Sequence, residues 1–132
     1  MDPQANVEIV QGIYNAFANR DIPAILAVLS PDVEWGEPSN PFNPAGGTRH
    51  GHHGFLEWIE IGRHAEEIVL LEPRKMLVDE DSVAVVGFIR CRAIPRGRVY
   101  ESDFVHVVTL ASGIVTKFQE SFDTYAAGEA FR

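Results

Sequence analysis

Residues 100–108 read Tyr-Glu-Ser-Asp-Phe-Val-His-Val-Val and carry two acidic side chains, Glu101 and Asp103, at alternate positions. Side chains of a β-strand point alternately to its two faces, so this pattern predicts a strand with one face in water. Arg90 and Arg92 of the preceding segment are placed to pair with these acids across strands. The opposite face points inward and consists of Tyr100, Ser102, Phe104, His106 and Val108.

Similar segments on both sides of this strand predict a meander through the second half of the chain. Its turns are marked by Asp79-Glu80-Asp81, by Pro95-Arg96-Gly97 and by Ser112-Gly113. The predicted strands cover residues 67–78, 82–94, 98–110 and 114–122.

The first half of the chain has the apolar spacing of helices. Residues 5–19 repeat apolar side chains at intervals of three and four, which predicts an amphipathic helix. Pro23 suits the first turn of a second helix, which we expect to end at Leu29. The remaining predicted elements are a strand at 33–37, an irregular loop at 38–47, a helix at 52–63 and a helix at 125–131.

Helices followed by an antiparallel meander predict an α+β fold. One sheet with helices on one face must curl around them, and a curled sheet leaves a hollow beneath it. The chain has 132 residues, of which 45% are hydrophobic and 23% charged. These values predict one globular domain over residues 1–132.

The composition argues against several classes of function. A net charge of −8 argues against nucleic acid as a partner, because phosphate binding needs clustered Lys and Arg. The lone cysteine, Cys91, excludes an internal disulfide and a multi-cysteine zinc site, and its apolar surroundings predict a buried structural residue. No apolar run reaches the roughly 20 residues of a membrane helix, and the polar N-terminus is unlike a signal peptide. We therefore expect a cytoplasmic protein without membrane contact.

Five stretches stand out by their order and spacing. They are Tyr-Asn-Ala-Phe at 14–17, Leu-Ser-Pro-Asp-Val-Glu-Trp at 29–35, Gly-His-His-Gly-Phe at 51–55, Phe-Val-His-Val-Val at 104–108 and Phe-Gln-Glu-Ser-Phe-Asp-Thr at 118–124. Together they resemble the SnoaL-like and ketosteroid isomerase family of the nuclear transport factor 2-like superfamily. The resemblance implies a cone-shaped curved sheet, mixed or antiparallel, wrapped around N-terminal helices, in a homodimer. It also implies a pocket for an apolar small molecule and chemistry that needs no cofactor.

Glu37 is the first candidate catalytic residue. It shares strand parity with Val33 and Trp35, and Pro38 follows it. The resemblance places this pair where ketosteroid isomerases carry an Asp-Pro base, which removes a proton next to a carbonyl group. A glutamate in a dry pocket has its charged form disfavoured, which raises its pKa towards neutrality. The alternative is a solvated glutamate hydrogen-bonded to the following loop.

His106 and Glu120 are the other two candidates. The resemblance places His106 near the isomerases' oxyanion donor and Glu120 near the base of SnoaL-like cyclases. A two-residue turn at 112–113 would put Gln119 opposite His106, whereas a three-residue turn or a bulge would favour Glu120. The alternative for His106 is a core histidine held by a partner.

Aromatic side chains supply the predicted ligand-binding wall, unless they serve only as core. The resemblance places the oxyanion tyrosine of the isomerases at Ile13, one residue before Tyr14. One residue corresponds to about 100° of rotation around a helix, so Tyr14 cannot take that role without a shift. The histidines at 50–53 do not have the spacing of a zinc site, so we expect no metal there. The predicted ligand contacts are Tyr14, Trp35, Phe55, Trp58, Tyr100 and Phe104.

Three functions fit this set of residues. The first is an isomerase or polyketide cyclase in which a carboxylate acts as general base on an apolar carbonyl compound. The second is a non-catalytic protein that binds a small molecule in the same pocket. The third is a dehydratase or epoxide hydrolase that uses the same carboxylates and histidine on a positioned water.

Overall fold

A computed structural model describes residues 2–132, which form six strands and four helices. In chain order these elements are α1 (Pro3–Ala18), α2 (Ile22–Leu26), β1 (Leu29–Glu37), β2 (Gly47–His50), α3 (Gly51–Ala65), β3 (Glu66–Asp79), β4 (Ser82–Ala93), β5 (Arg98–Ala111), β6 (Ile114–Phe122) and α4 (Thr124–Phe131). The strands form one curved, open sheet in the order β2-β1-β6-β5-β4-β3. Only β1 and β6 run parallel. The predicted α+β class with a mixed sheet is confirmed.

Side chains of three aspartates begin three of the helices. The carboxylate of Asp2 accepts a hydrogen bond from the Ala5 amide at 2.8 Å and starts α1. Asp21 caps α2 and Asp123 caps α4 in the same way. Such caps satisfy amide groups that have no partner inside the helix, each contributing about 1 kcal/mol.

Among residues 2–132, no helix is long and apolar enough to cross a bilayer.

The region between α1 and α3 differs from its prediction in two respects. The second helix ends at Leu26, and β1 already begins at Leu29. Pro31 fits this strand because it lies in the irregular stretch between Leu29 and Glu34, where no regular ladder pairing to β6 is formed. Strand β2 begins at the last residue of the predicted loop and continues through residues 48–50, which the sequence pattern assigned to no element because β2 has only four residues.

The side chains of β5 alternate between the two faces of the sheet, as the sequence pattern predicts. Its inner row is buried from Tyr100 to Val108, whereas Glu101 is exposed. Arg90 lies opposite Glu101, and its Nε atom donates to Oε1 at 2.9 Å. Arg92 pairs with Glu67 of β3 instead of an acid on β5. These exposed pairs contribute little to stability, so the buried inner row decides the facing of the strand.

A bulge determines which residue of β6 lies opposite His106. Ser112 and Gly113 form a two-residue turn in which both have positive φ angles, 50° and 80°. Thr116 is then an extra residue, since Leu110 pairs with Val115 and Thr109 pairs with Lys117. As a result Glu120 lies opposite His106, and Gln119 is exposed on the outer face.

One close approach between β4 and β5 supports the inner face. Gly87 of β4 lies opposite Phe104, whose ring occupies the space where a side chain at 87 would be. The Phe104 ring in turn stacks on the His106 imidazole, with centroids 4.2 Å apart. The missing side chain at 87 therefore gives room to the ring that supports His106.

We predict that Gly87→Ala lowers the free energy of unfolding by about 1–3 kcal/mol, because the new Cβ would lie 2.5 Å from Cζ of Phe104. Gly12→Ala is the matched control: it lies on the exposed side of α1, and a Cβ there meets no atom within 4 Å. The control should instead gain up to about 1 kcal/mol from helix propensity. Urea denaturation of the three proteins measures both effects, and equal stability of Gly87→Ala and the parent would contradict the packing described.

Candidate active site

The concave face of the sheet and helices α1 to α3 line a hollow that opens to solvent. Its wall is mainly aliphatic and aromatic. Among residues 2–132, the lining contains no Lys or Arg, so His106 is its only side chain there that can carry a positive charge. The acidic and hydroxyl-bearing side chains of the wall are Tyr14, Glu37, Glu66, Tyr100 and Glu120.

His106 forms the centre of a hydrogen-bonded chain of three side chains. Its Nε2 atom lies 2.7 Å from Oε2 of Glu120, and its Nδ1 atom lies 2.5 Å from the hydroxyl oxygen of Tyr14. With a neutral imidazole, Tyr14 donates to Nδ1 while Nε2–H donates to Glu120. With a doubly protonated ring, both nitrogens donate, and the Tyr14 O–H is released for another acceptor. The protonation of His106, next to Glu120, therefore determines whether the Tyr14 hydroxyl donates to His106 or to another acceptor.

The sequence brings these three groups together from separate elements. His106 is 5% exposed and is supported on one side by Phe104 and on another by Phe118, whose ring centroid lies 4.9 Å away. Glu120 reaches the inner face through the bulge in β6, and Tyr14 descends from α1. His106 is thus held by partners, as the alternative interpretation predicts. It is not only a core residue, because His106, Tyr14 and Glu120 all line the hollow.

Glu37, at the end of β1, is the second acidic group of the wall and is 8% exposed. Its Oε2 atom accepts from Nδ2 of Asn43 at 2.6 Å, and its Oε1 atom accepts from Nε1 of Trp58 at 2.9 Å. The amide of Asn43 is oriented by the Ala45 N–H, which donates to its Oδ1 atom. Glu37 is thus bound to the following loop, as one interpretation predicted, but it is not solvated.

Burial is the main influence on the acidity of Glu37. It raises the pKa of Glu37 to about 7, and the charge of Glu120 acts in the same direction. The hydrogen bonds from Trp58 and Asn43 oppose this rise because they favour the charged carboxylate. Burial also raises the pKa of Tyr14, with a further contribution from Glu120, so that the phenol stays protonated.

A second acid–tyrosine pair lies on the same wall and was not predicted as a pair. The Tyr100 hydroxyl donates to Oε2 of Glu66 at 2.6 Å. Burial raises the pKa of Glu66, while the Tyr100 hydrogen bond lowers it and the charge of Glu120 raises it further. Sequence reasoning missed Glu66 because it is the first residue of β3, outside the predicted strand, and it missed Asn43 because the loop has no periodicity.

Most of the predicted aromatic residues lie on the wall, and one does not. Phe104 is not part of the lining, because the His106 ring stacks over it. Cys91 lines the hollow and is 2% exposed, as predicted for a buried cysteine, and burial raises the pKa of its thiol to about 12. The aromatic residues of the lining include Tyr14, Trp35, Phe55, Trp58 and Tyr100.

The histidines at 50–53 do not converge. His50 is exposed and lies 3.8 Å from Glu34, whereas Nε2 of His52 lies 2.9 Å from the Leu29 carbonyl oxygen. Between residues 2 and 132, no three His, Cys, Asp or Glu side chains are grouped as metal ligands.

The raised pKa of Glu37 predicts how stability depends on pH. The folded protein holds this proton up to a pH of about 7, whereas the unfolded chain releases it near 4.5. The free energy of unfolding should therefore fall as pH rises from 5 to 8, with Glu37 contributing up to about 3 kcal/mol of the loss. Glu37→Gln should reduce this slope in urea denaturation, whereas Glu34→Gln, on the exposed face of the same strand, should not. Equal slopes in the parent and Glu37→Gln would contradict the prediction.

Comparison with known proteins agrees with this architecture. The model of the SnoaL-like domain matches residues 10–118. An NTF2-like protein from Burkholderia xenovorans LB400 is 32% identical, with a TM-score of 0.92 over 100% of this chain and 99% of that protein. TerC, co-crystallised with polyporic acid, is also 32% identical, with a TM-score of 0.82 over 96% of this chain and 98% of TerC. The uncharacterised protein Rv0034 from Mycobacterium tuberculosis is 24% identical over 131 residues, which are 99% of this chain and 98% of Rv0034. The chain belongs to the SnoaL-like family and has the NTF2-like fold that its sequence resembles.

Proposed function

We propose that this protein is a cofactor-independent enzyme that acts on an apolar carbonyl compound, with Glu37 as its general base. The observation that carries the proposal is a buried carboxylate on an apolar wall, with a pKa raised to about 7. A base with this pKa is ionised in half of the molecules at neutral pH and binds a proton far better than an exposed glutamate. The reaction class is isomerisation or cyclisation through an enolate.

The chain of Tyr14, His106 and Glu120 suits the oxygen side of this reaction. Glu37 accepts the proton from the carbon next to the carbonyl group, and negative charge develops on the carbonyl oxygen. When His106 is doubly protonated it donates to Tyr14, and the Tyr14 O–H is then free to donate to the substrate oxygen. The proton on Glu37 returns to another carbon of the substrate in an isomerisation. Because the wall is apolar, each of these interactions acts without competition from bulk water.

The relative TerC supports the class of ligand. TerC was co-crystallised with polyporic acid, an aryl-substituted hydroxyquinone, which is an apolar body bearing carbonyl groups. Both tryptophans of the present chain, Trp35 and Trp58, line the hollow and provide a flat aromatic surface for such a body. We therefore extend the proposal to flat aromatic carbonyl compounds as substrates.

The proposed base can be tested without knowledge of the natural substrate. In D₂O, the protein should accelerate exchange of the α-protons of 2-tetralone, followed by ¹H NMR. Glu37→Gln should reduce the enzymatic rate at least about 100-fold, because the proton acceptor is lost. Glu34→Gln is the control, since Glu34 lies on the same strand with its side chain 40% exposed and paired with Lys117. Exchange at the parent rate in Glu37→Gln would exclude Glu37 as the base.

A non-catalytic binding protein is the second candidate, and the observation that favours it is that the relative TerC was co-crystallised with polyporic acid. Both functions predict saturable quenching of tryptophan fluorescence by an aromatic ligand, because both tryptophans line the hollow. Only the enzyme predicts exchange of α-protons. Saturable quenching by 2-tetralone without accelerated exchange would favour the binding protein.

A further inference from the structure

The hollow contains a second polar pair that the proposed reaction does not use. Tyr100 and Glu66 line the same hollow as the His106 chain but belong to another part of the wall. On the inner face of β5, Tyr100 lies six residues before His106, which corresponds to about 20 Å along an extended strand. The two polar groups therefore enter the hollow at different positions along β5, with Ser102 and Phe104 between them on the inner face of the strand.

The Glu66 carboxyl retains unused hydrogen-bonding capacity. Its Oε2 atom accepts from Tyr100, whereas its Oε1 atom has no hydrogen-bond partner among residues 2–132. The Tyr100 oxygen, which donates its only proton to Glu66, can still accept a hydrogen bond. A pair of this kind is suited to hold a hydroxyl group, which donates to the free carboxylate oxygen.

The fold itself gives little reason for a carboxyl group at this position. Glu66 is half-buried, and taking a carboxylate even partly out of water is costly, so that a hydrophobic side chain of similar volume is often neutral or stabilising in such a place. Within the described chain, neither Lys nor Arg lies on the wall to pair with Glu66. The neighbouring wall includes the apolar residues Ile68 and Leu71, which make no polar contact with it. Recognition of a ligand would explain why the protein has a carboxyl group here despite the cost of desolvating it.

We infer that Tyr100 and Glu66 form a specificity site for a hydroxyl group at the far end of the ligand. The ligand would then be a flat apolar compound with oxygen functions at both ends, one near Glu37 and Tyr14 and the other at Glu66. This inference rests on the proposed function in that it takes the same hollow as the ligand site, and it narrows the class of substrate. Tyr100 acts as a positioning residue that orients the Glu66 carboxyl.

The test compares two probes that differ only in the second hydroxyl group, 4-phenylphenol and 4,4′-dihydroxybiphenyl. Their Kd values are measured by quenching of the fluorescence of Trp35 and Trp58, which both line the hollow. The parent should bind the diol about tenfold more tightly, as expected for one additional hydrogen bond. In Glu66→Gln and in Tyr100→Phe, the ratio of the two Kd values should fall to about two or less.

Two controls separate recognition from a general loss of structure. Tyr125→Phe removes a tyrosine hydroxyl whose residue is 77% exposed, and it should keep the tenfold ratio. Glu66→Gln keeps an acceptor for the Tyr100 O–H, so it remains informative if Tyr100→Phe unfolds. Thermal unfolding of each variant shows that the proteins compared are folded.

The possible failures can be told apart. Equal Kd values for the two probes in the parent would overturn the specificity site and leave the proposed function in place. An unchanged tenfold ratio in both Glu66→Gln and Tyr100→Phe would also overturn it, because the second hydroxyl would then bind elsewhere. Absence of quenching by either probe, together with absence of exchange on 2-tetralone, would overturn the proposed function as well.

Discussion

Three carboxyl groups share one apolar hollow, and within the described part of the chain the only lining side chain that can become cationic is His106. Burial disfavours the charged forms of Glu37 and Glu66, and the charge of Glu120 disfavours their ionisation further. The wall therefore cannot hold three full negative charges at low cost. Glu120 has the histidine as its neighbour, whereas burial raises the pKa of Glu37 to about 7 and also raises the pKa of Glu66. The raised pKa of Glu37 gives the hollow an acid–base character, and the proposed chemistry depends on it.

The curved sheet allows these groups to meet although they are far apart in sequence. Glu37 ends β1, Glu66 begins β3 and Glu120 lies near the end of β6, so each comes from a strand with different neighbours. Strands β1 and β6 are neighbours in the sheet, which places Glu37 beside Glu120, whereas β3 would lie three strand widths from β6 on a flat sheet, since adjacent strands are about 4.8 Å apart. Curvature turns their inner faces towards one another. The helices then exclude water from the space between them, which is why the pKa values shift.

Much of this arrangement follows from local patterns in the sequence. The alternation on β5 was sufficient to predict the inward row that contains His106, because a strand has a fixed period of two. Glu120 needed more information, since a single extra residue at Thr116 reverses the facing of everything beyond it. Glu66 and Asn43 could not be predicted as site residues. Their positions depend on where the sheet curves and where an irregular loop returns, and both are set by contacts distant in sequence.

The loop that follows β1 has a chemical role as well as a connecting one. Burial alone would keep Glu37 protonated at neutral pH, and a protonated carboxyl cannot accept a proton from a substrate. The amide of Asn43, supplied by that loop, and the indole N–H of Trp58, supplied by α3, both donate to the carboxylate and lower its pKa against the effect of burial. The value near 7 is therefore a balance between two opposing influences. Either one acting alone would leave a weaker base, since full exposure gives low proton affinity and full burial without donors gives no carboxylate.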